Sequence, residues 1–285
     1  MKNRILNNIF WTISIGILSI LMASCGGAKK DVIESENKNT SFESEKPLNM
    51  SVFLDLSDRI EKVDINDNML QAEKDRQIVE GLIESFIEKN KTSFQTSEDV
   101  FCIVFYPSPT GGDSLAQNLS IDLKSITGPK KKAFLKFKKS YPENLKILYD
   151  GTLAEKKYFG SDIWGFFNKD KVSDLYKEDY RNVFIIISDG YVYDENNIKK
   201  EGNNYSYLLP KTLAQKDAGL LPCKISQPNF EIYFIECNPS PVTDFDQMKD
   251  VLEKWFNGMG VSNIDIRDTD QPSSTLHHLR TRIFK

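Results

Sequence analysis

Two stretches constrain the fold of this 285-residue chain more than any others. Met50-Ser51-Val52-Phe53-Leu54 is a β-favouring, mostly apolar run, the pattern of a strand buried on both faces, and it breaks abruptly into Asp55-Leu56-Ser57-Asp58-Arg59. Val183-Phe184-Ile185-Ile186-Ile187 repeats the pattern and ends in Ser188-Asp189-Gly190. Buried parallel strands deliver the residues that follow them to the carboxyl edge of a sheet, where open α/β sheets bind ligands. Together the two stretches predict one shared polar site. Either aspartate taken alone reads equally well as a turn former or helix cap.

The rest of the chain alternates strands with helical patterns. The first strand is expected at about 50–56. Apolar residues at three- and four-residue steps predict a helix over 66–90, including Ile78, Val79, Leu82, Ile83, Phe86 and Ile87. Residues 100–106 read as a buried strand stopped by Pro107, Pro109 and Gly111-Gly112. Residues 115–123 read as a half-exposed antiparallel edge strand. A basic amphipathic helix is expected over 129–139 and a second from Pro142, with Asp150-Gly151-Thr152 as a turn or interruption. The segment Gly160-Ser161-Asp162-Ile163 opens an apolar helix, and Ser161 or Asp162 suits its N-cap. After Asp189 comes a polar surface insertion over 191–207, then a short helix and loop over 208–221. The series closes with strands at 230–237 and 261–266, each followed by a helix, at 245–259 and 275–283. This order predicts an α/β fold: a three-layer, doubly wound, Rossmann-like and mostly parallel sheet with one antiparallel edge strand.

The first residues read as an address. Lys2 and Arg4 precede an apolar run from Ile9 to Met22, shorter than the roughly 20 residues of a membrane span, and Ala23-Ser24-Cys25 follows. That end resembles a bacterial lipoprotein signal, implying a signal peptide over 1–24, a lipidated Cys25 and a cell-envelope location (outer membrane, periplasmic or surface side). Residues 25–47 are Lys-, Glu-, Ser- and Asn-rich, the composition of a flexible tether, which leaves 48–285 as one domain. The formal net charge of −4 and the lack of a basic stripe argue against nucleic acid as a partner. The lysine clusters at 130–132 and 136–139 read as a solvated helix face. No Cys/His cluster has zinc spacing. Cys102 and Cys237 suit buried thiols, and a Cys223–Cys237 bridge stays open, because spacing cannot decide it.

The strand-end motifs resemble those of the von Willebrand factor A domain, whose metal-ion-dependent adhesion site combines Asp-x-Ser-x-Ser, a Thr or Ser on a second loop, and an Asp after the fourth strand. Asp55 and Ser57 match the first two positions, Ser161 stands on the second loop, and Asp189-Gly190 match the last. The resemblance implies magnesium, with manganese as a substitute, held by Asp55, Ser57, Ser161 and Asp189 and offered to a protein or peptide ligand. Hard cations of this kind take hydroxyl and carboxylate oxygens and keep several waters. Arg59 departs from the pattern by replacing the second Ser. Either the metal has fewer protein ligands, with help from Asp58, or Arg59 itself neutralises the acids and no metal binds. The tyrosines Tyr191, Tyr193, Tyr205 and Tyr207 suit a binding rim. An enzyme is the weaker reading. A metal-dependent phosphohydrolase of the haloacid-dehalogenase kind needs a second carboxylate two positions after its nucleophile, and Ser57 stands there. The expectation is a non-enzymatic binding lipoprotein; the alternative is a scaffold lipoprotein without a metal site.

Overall fold

The computed structural model describes residues 46–64, 68–109, 111–155, 161–239 and 244–284. The signal peptide, Cys25 and nearly all of the tether lie outside the described residues. Strand β1 (Leu48–Leu54) is buried along its whole length. Chain order continues through α1 (Gln71–Asn90), β2 (Val100–Val104), α2 (Gly112–Asn118), β3 (Ile121–Asp122), α3 (Lys130–Glu155), α4 (Ile163–Asn168) and β4 (Arg181–Ile187). A small hairpin of β5 (Lys200–Glu201) and β6 (Asn204–Tyr205), a turn of helix α5 (Pro210–Leu213), β7 (Glu231–Cys237), α6 (Phe245–Gly258), β8 (Asn263–Asp268) and α7 (Pro272–Ile283) complete it. The main sheet has the order β3-β2-β1-β4-β7-β8, parallel except for β3. The winding therefore reverses between β1 and β4, and the crevice of such a sheet lies where their carboxyl ends diverge.

Side chains alternate between the two faces, so each strand feeds two cores. Met50, Val52, Leu54, Val183, Ile185 and Ile187 pack with α1, α3 and α7. Phe53, Phe184, Ile186, Ile232 and Phe234 pack with α4 and α6. The second core is dense in rings: Phe184 stacks on Phe166 with centroids 5.9 Å apart and meets Phe53 and Phe167 edge-on. The Trp164 and Trp255 indoles, from α4 and α6, both donate to the Leu221 carbonyl, at 2.9 and 3.0 Å.

Three expectations from sequence are corrected. Residues 115–118 are the end of α2, capped by Leu119, because Leu115, Ala116 and Leu119 pack at helical spacing against the first core; only Ile121–Asp122 pairs with β2, antiparallel as expected. The two helices expected around Pro142 are one, α3, with Pro142 and Gly151 inside it. Phe134, Phe137, Tyr141, Leu145, Leu148 and Tyr149 keep one buried stripe running through the proline, and that burial outweighs a proline cost of roughly 3 kcal/mol and a glycine cost of about 1 kcal/mol. The 191–207 insertion is also less superficial than its polarity implies, with Val192, Tyr205 and Ser206 buried. Cys102, Cys223 and Cys237 are free thiols.

Phe184→Ala should destabilise the protein by about 3–5 kcal/mol, against less than about 0.5 kcal/mol for Leu135→Ala on the exposed side of α3. Urea midpoints compare the two. Equal shifts would refute the two-core arrangement.

Candidate functional site

Asp55 continues β1 by one residue, its N–H donating to the Ile187 carbonyl at 3.1 Å. The residue is 2% exposed. Its Oδ1 accepts from the Ser57 N–H (3.0 Å) and its Oδ2 from the Ser188 hydroxyl (2.7 Å). Asp189 follows β4 by two residues. Its Oδ1 accepts from the Tyr191 N–H (3.1 Å) and its Oδ2 from Lys62 Nζ (3.2 Å). The two acids thus share one end of two paired strands, as their positions in sequence imply. Burial, then the nearby Asp55 charge, pushes the Asp189 carboxyl up, against the pull of Arg59 and Lys62. Gly190 has φ +89°, and a Cβ there would collide with the Met248 sulfur, so both backbone angle and space require glycine. Asp58 is exposed and opens a 3₁₀ turn, Asp58–Glu61.

Arg59 turns inward. Only 1% exposed, it places Nη2 2.5 Å from Asp75 Oδ2 and 3.1 Å from the Ile187 carbonyl, and Nε 3.5 Å from Asp55 Oδ2. Burial pulls its guanidinium down, but Asp75, Asp55 and Asp189 more than offset this, so it stays cationic. Asp75 is the fifth residue of α1, near the start of the helix, where Gln71, Lys74 and Asp75 are all buried. From there a buried network spreads along the sheet edge. Gln71 donates to Asp75 (2.9 Å) and Glu236 (3.3 Å), Lys74 donates to Asp64 (2.6 Å) and Thr269 (2.9 Å), and Thr269 and Thr275 donate to Glu236 at 2.8 and 3.1 Å. Glu236 is fully buried with φ +64°, beside the irregular pairing of β7 with β8. Asp75, Lys74 and Glu236 were missed at the sequence level, though the signals were there. Glu236 ends an apolar strand just as Asp55 and Asp189 do, and Lys74 and Asp75 fall on the apolar stripe of α1.

Ser161 lies on the same edge, its backbone bridged to Tyr193, four residues past Asp189. Asp162 takes the N-cap role, accepting from the Gly165 N–H at 2.7 Å, and the Asn197 amide reaches it at 3.1 Å. Ser161 is left 4% exposed with a hydroxyl that has no hydrogen-bond partner among the described residues. Gly160 lies outside them. Among the described residues no group of three or more His, Cys, Asp or Glu is placed to hold a metal ion. Asp55, Ser57, Ser161 and Asp189 carry oxygens of the hard kind a divalent cation takes, but Arg59 and Ser188 already engage one Asp55 oxygen and Lys62 one Asp189 oxygen, so a cation held here would keep several waters.

No family model matches the chain, and no curated protein sequence matches it. Among solved structures it is similar to an aerotolerance-related membrane protein from Bacteroides fragilis (11% identity, 83% of this chain and 98% of that one, TM-score 0.37). It is also similar to BatB from Bacteroides thetaiotaomicron (13%, 83% and 97%, 0.38). The pilus adhesin SpaC from Lactobacillus rhamnosus GG, open conformation, matches over 85% of this chain and 30% of the adhesin, at 12% identity and TM-score 0.41.

Arg59→Met should lower stability by about 3–5 kcal/mol, because it strands two buried carboxylates, and Asp75→Leu in the same chain should recover part of the loss. Denaturant titration decides, and a loss below about 1 kcal/mol would refute the buried pairing. Burial pushes the Asp75 carboxyl up to about 7, opposed by Arg59 and the Gln71 hydrogen bond. A carboxyl raised on folding stabilises fully below its ordinary range, and that contribution fades as pH rises towards 7. Relative to the non-titrating Asp75→Asn variant, wild type should therefore gain about 1 kcal/mol or more between pH 7 and pH 4, read from urea midpoints; a constant difference would exclude the raised carboxyl.

Proposed function

We propose that this protein is a binding module of the von Willebrand factor A kind, which holds a protein or peptide ligand at the carboxyl edge of its sheet with help from a weakly held divalent cation. Asp55, Ser57, Ser161 and Asp189 would supply its protein oxygens; magnesium, when bound, offers a coordination position to a ligand oxygen. The observation that carries this reading is the Ser161 hydroxyl, buried without a partner among the described residues on the edge that holds two aspartates. An unpaired buried hydroxyl is unfavourable by about 1–3 kcal/mol unless something meets it. The surroundings suit a macromolecular ligand: Val63, Tyr193 and Ile198 are large apolar side chains left exposed on segments at this edge. Tyr193 and Tyr207 pack edge-to-face at 5.8 Å, and Tyr205 and Tyr207 at 5.3 Å, giving a firm aromatic rim. The leader motif supports placement on a lipid at Cys25 in the cell envelope.

One observation favours the scaffold reading, in which Arg59 is the resident counter-ion and the edge binds no metal: its guanidinium is buried against Asp55. Calorimetry of the full-length protein with MgCl₂ and MnCl₂ separates the two. The binding reading expects saturable uptake at millimolar metal or below, abolished by Asp189→Ala with the melting temperature nearly kept. Absence of uptake would leave the scaffold.

A further inference from the structure

Lys62 is the group at this edge that the cation reading does not use. Its main chain is pinned, the N–H donating to the Arg59 carbonyl (3.0 Å) and the carbonyl accepting from the Gln71 N–H (2.8 Å). Its side chain is 60% exposed, yet it ends 3.2 Å from Oδ2 of Asp189, a carboxylate whose side chain is only 11% exposed. The pair is lopsided, with a buried acceptor and a solvated donor. Arg59 is the opposite case, bound on the inside to Asp75 and the Ile187 carbonyl.

We propose that Lys62 is a tethered competitor for the cation position on Asp189, and so sets the concentration of divalent metal at which this edge becomes loaded. The inference rests on the reading that the edge takes a divalent cation. The ammonium and a dication need the same carboxylate oxygen, and two cations brought within about 4 Å of each other repel strongly where protein shields them from water on one side. Release of Lys62 is easy, since a pair with one solvated partner is worth about 1 kcal/mol or less, and the pinned backbone need not move. The side chain can swing into water and return when the metal leaves. The acid pair is thus kept neutralised at low metal without a permanent block, which a buried arginine in the same place would impose.

The test titrates detergent-solubilised full-length protein with MnCl₂ at constant ionic strength, following free Mn²⁺ by electron paramagnetic resonance. Wild type is compared with Lys62→Met, Lys62→Arg and Asp189→Asn. Lys62→Met should bind Mn²⁺ up to about fivefold more tightly than wild type, Lys62→Arg within about twofold of wild type, and Asp189→Asn far more weakly than either. The metal-free melting temperature of Lys62→Met should stay within about 4 °C of wild type, because a pair with one solvated partner contributes about 1 kcal/mol or less. Equal affinities in wild type and Lys62→Met would overturn the role of Lys62 and leave the cation site standing. No binding in either would overturn both.

Discussion

The guanidinium of Arg59, buried between Asp55 and Asp75, is the interaction on which the rest of the sheet edge depends. It ties the end of β1 to Asp75 near the start of α1 and, through the Ile187 carbonyl, to the end of β4. Removing such charges from water is so unfavourable that an apolar trio of equal volume would hold the fold about as well. What the ionic version adds is direction. The Asp55 carboxylate is oriented by hydrogen bonds from the Ser188 hydroxyl and the Ser57 N–H, while Arg59 adds an ion pair at 3.5 Å and spends its Nη2 on Asp75 and the Ile187 carbonyl.

That arrangement also explains the composition of the edge. Asp55, Asp64, Asp75, Asp189 and Glu236 come from different segments of the chain and are all buried. Among the described residues they are met by two buried cations, Arg59 and Lys74, and by the solvated Lys62. The imbalance is tolerable because neutral donors share the load, with Gln71, Ser188, Thr269 and Thr275 hydrogen-bonded to acid oxygens. Burial of carboxylates near one another raises their proton affinity, as it does for Asp75 and Asp189. The edge is therefore electrically tense on the side that faces the crevice.

Strand ends were the most legible part of the sequence. Unbroken apolar runs ending in Asp55 and Asp189 could be read because a strand buried on both faces lacks polar alternation and stops sharply where the residues turn polar. The antiparallel edge strand was legible but drawn too long, at 115–123 in place of Ile121–Asp122, since the loose alternation before it fits a helix turn equally well. Pro142 and Gly151 misled because local propensity is a weak force beside a stripe of six buried side chains. At the site, the inward turn of Arg59 was one of two open readings, but its partner Asp75 was not read, for charged residues on a helix are normally assigned to water. Only the packing of α1 over the sheet shows that its first turn is interior.

The two indoles that share the Leu221 carbonyl have a consequence for the opposite face of the molecule. One acceptor serving Trp164 and Trp255 acts as a common hinge pin for α4 and α6, so neither helix can slide without stripping a buried donor. Ser161 stands two residues ahead of α4, with Asp162 capping that helix, so on its carboxyl side it is anchored to an element pinned by the shared carbonyl.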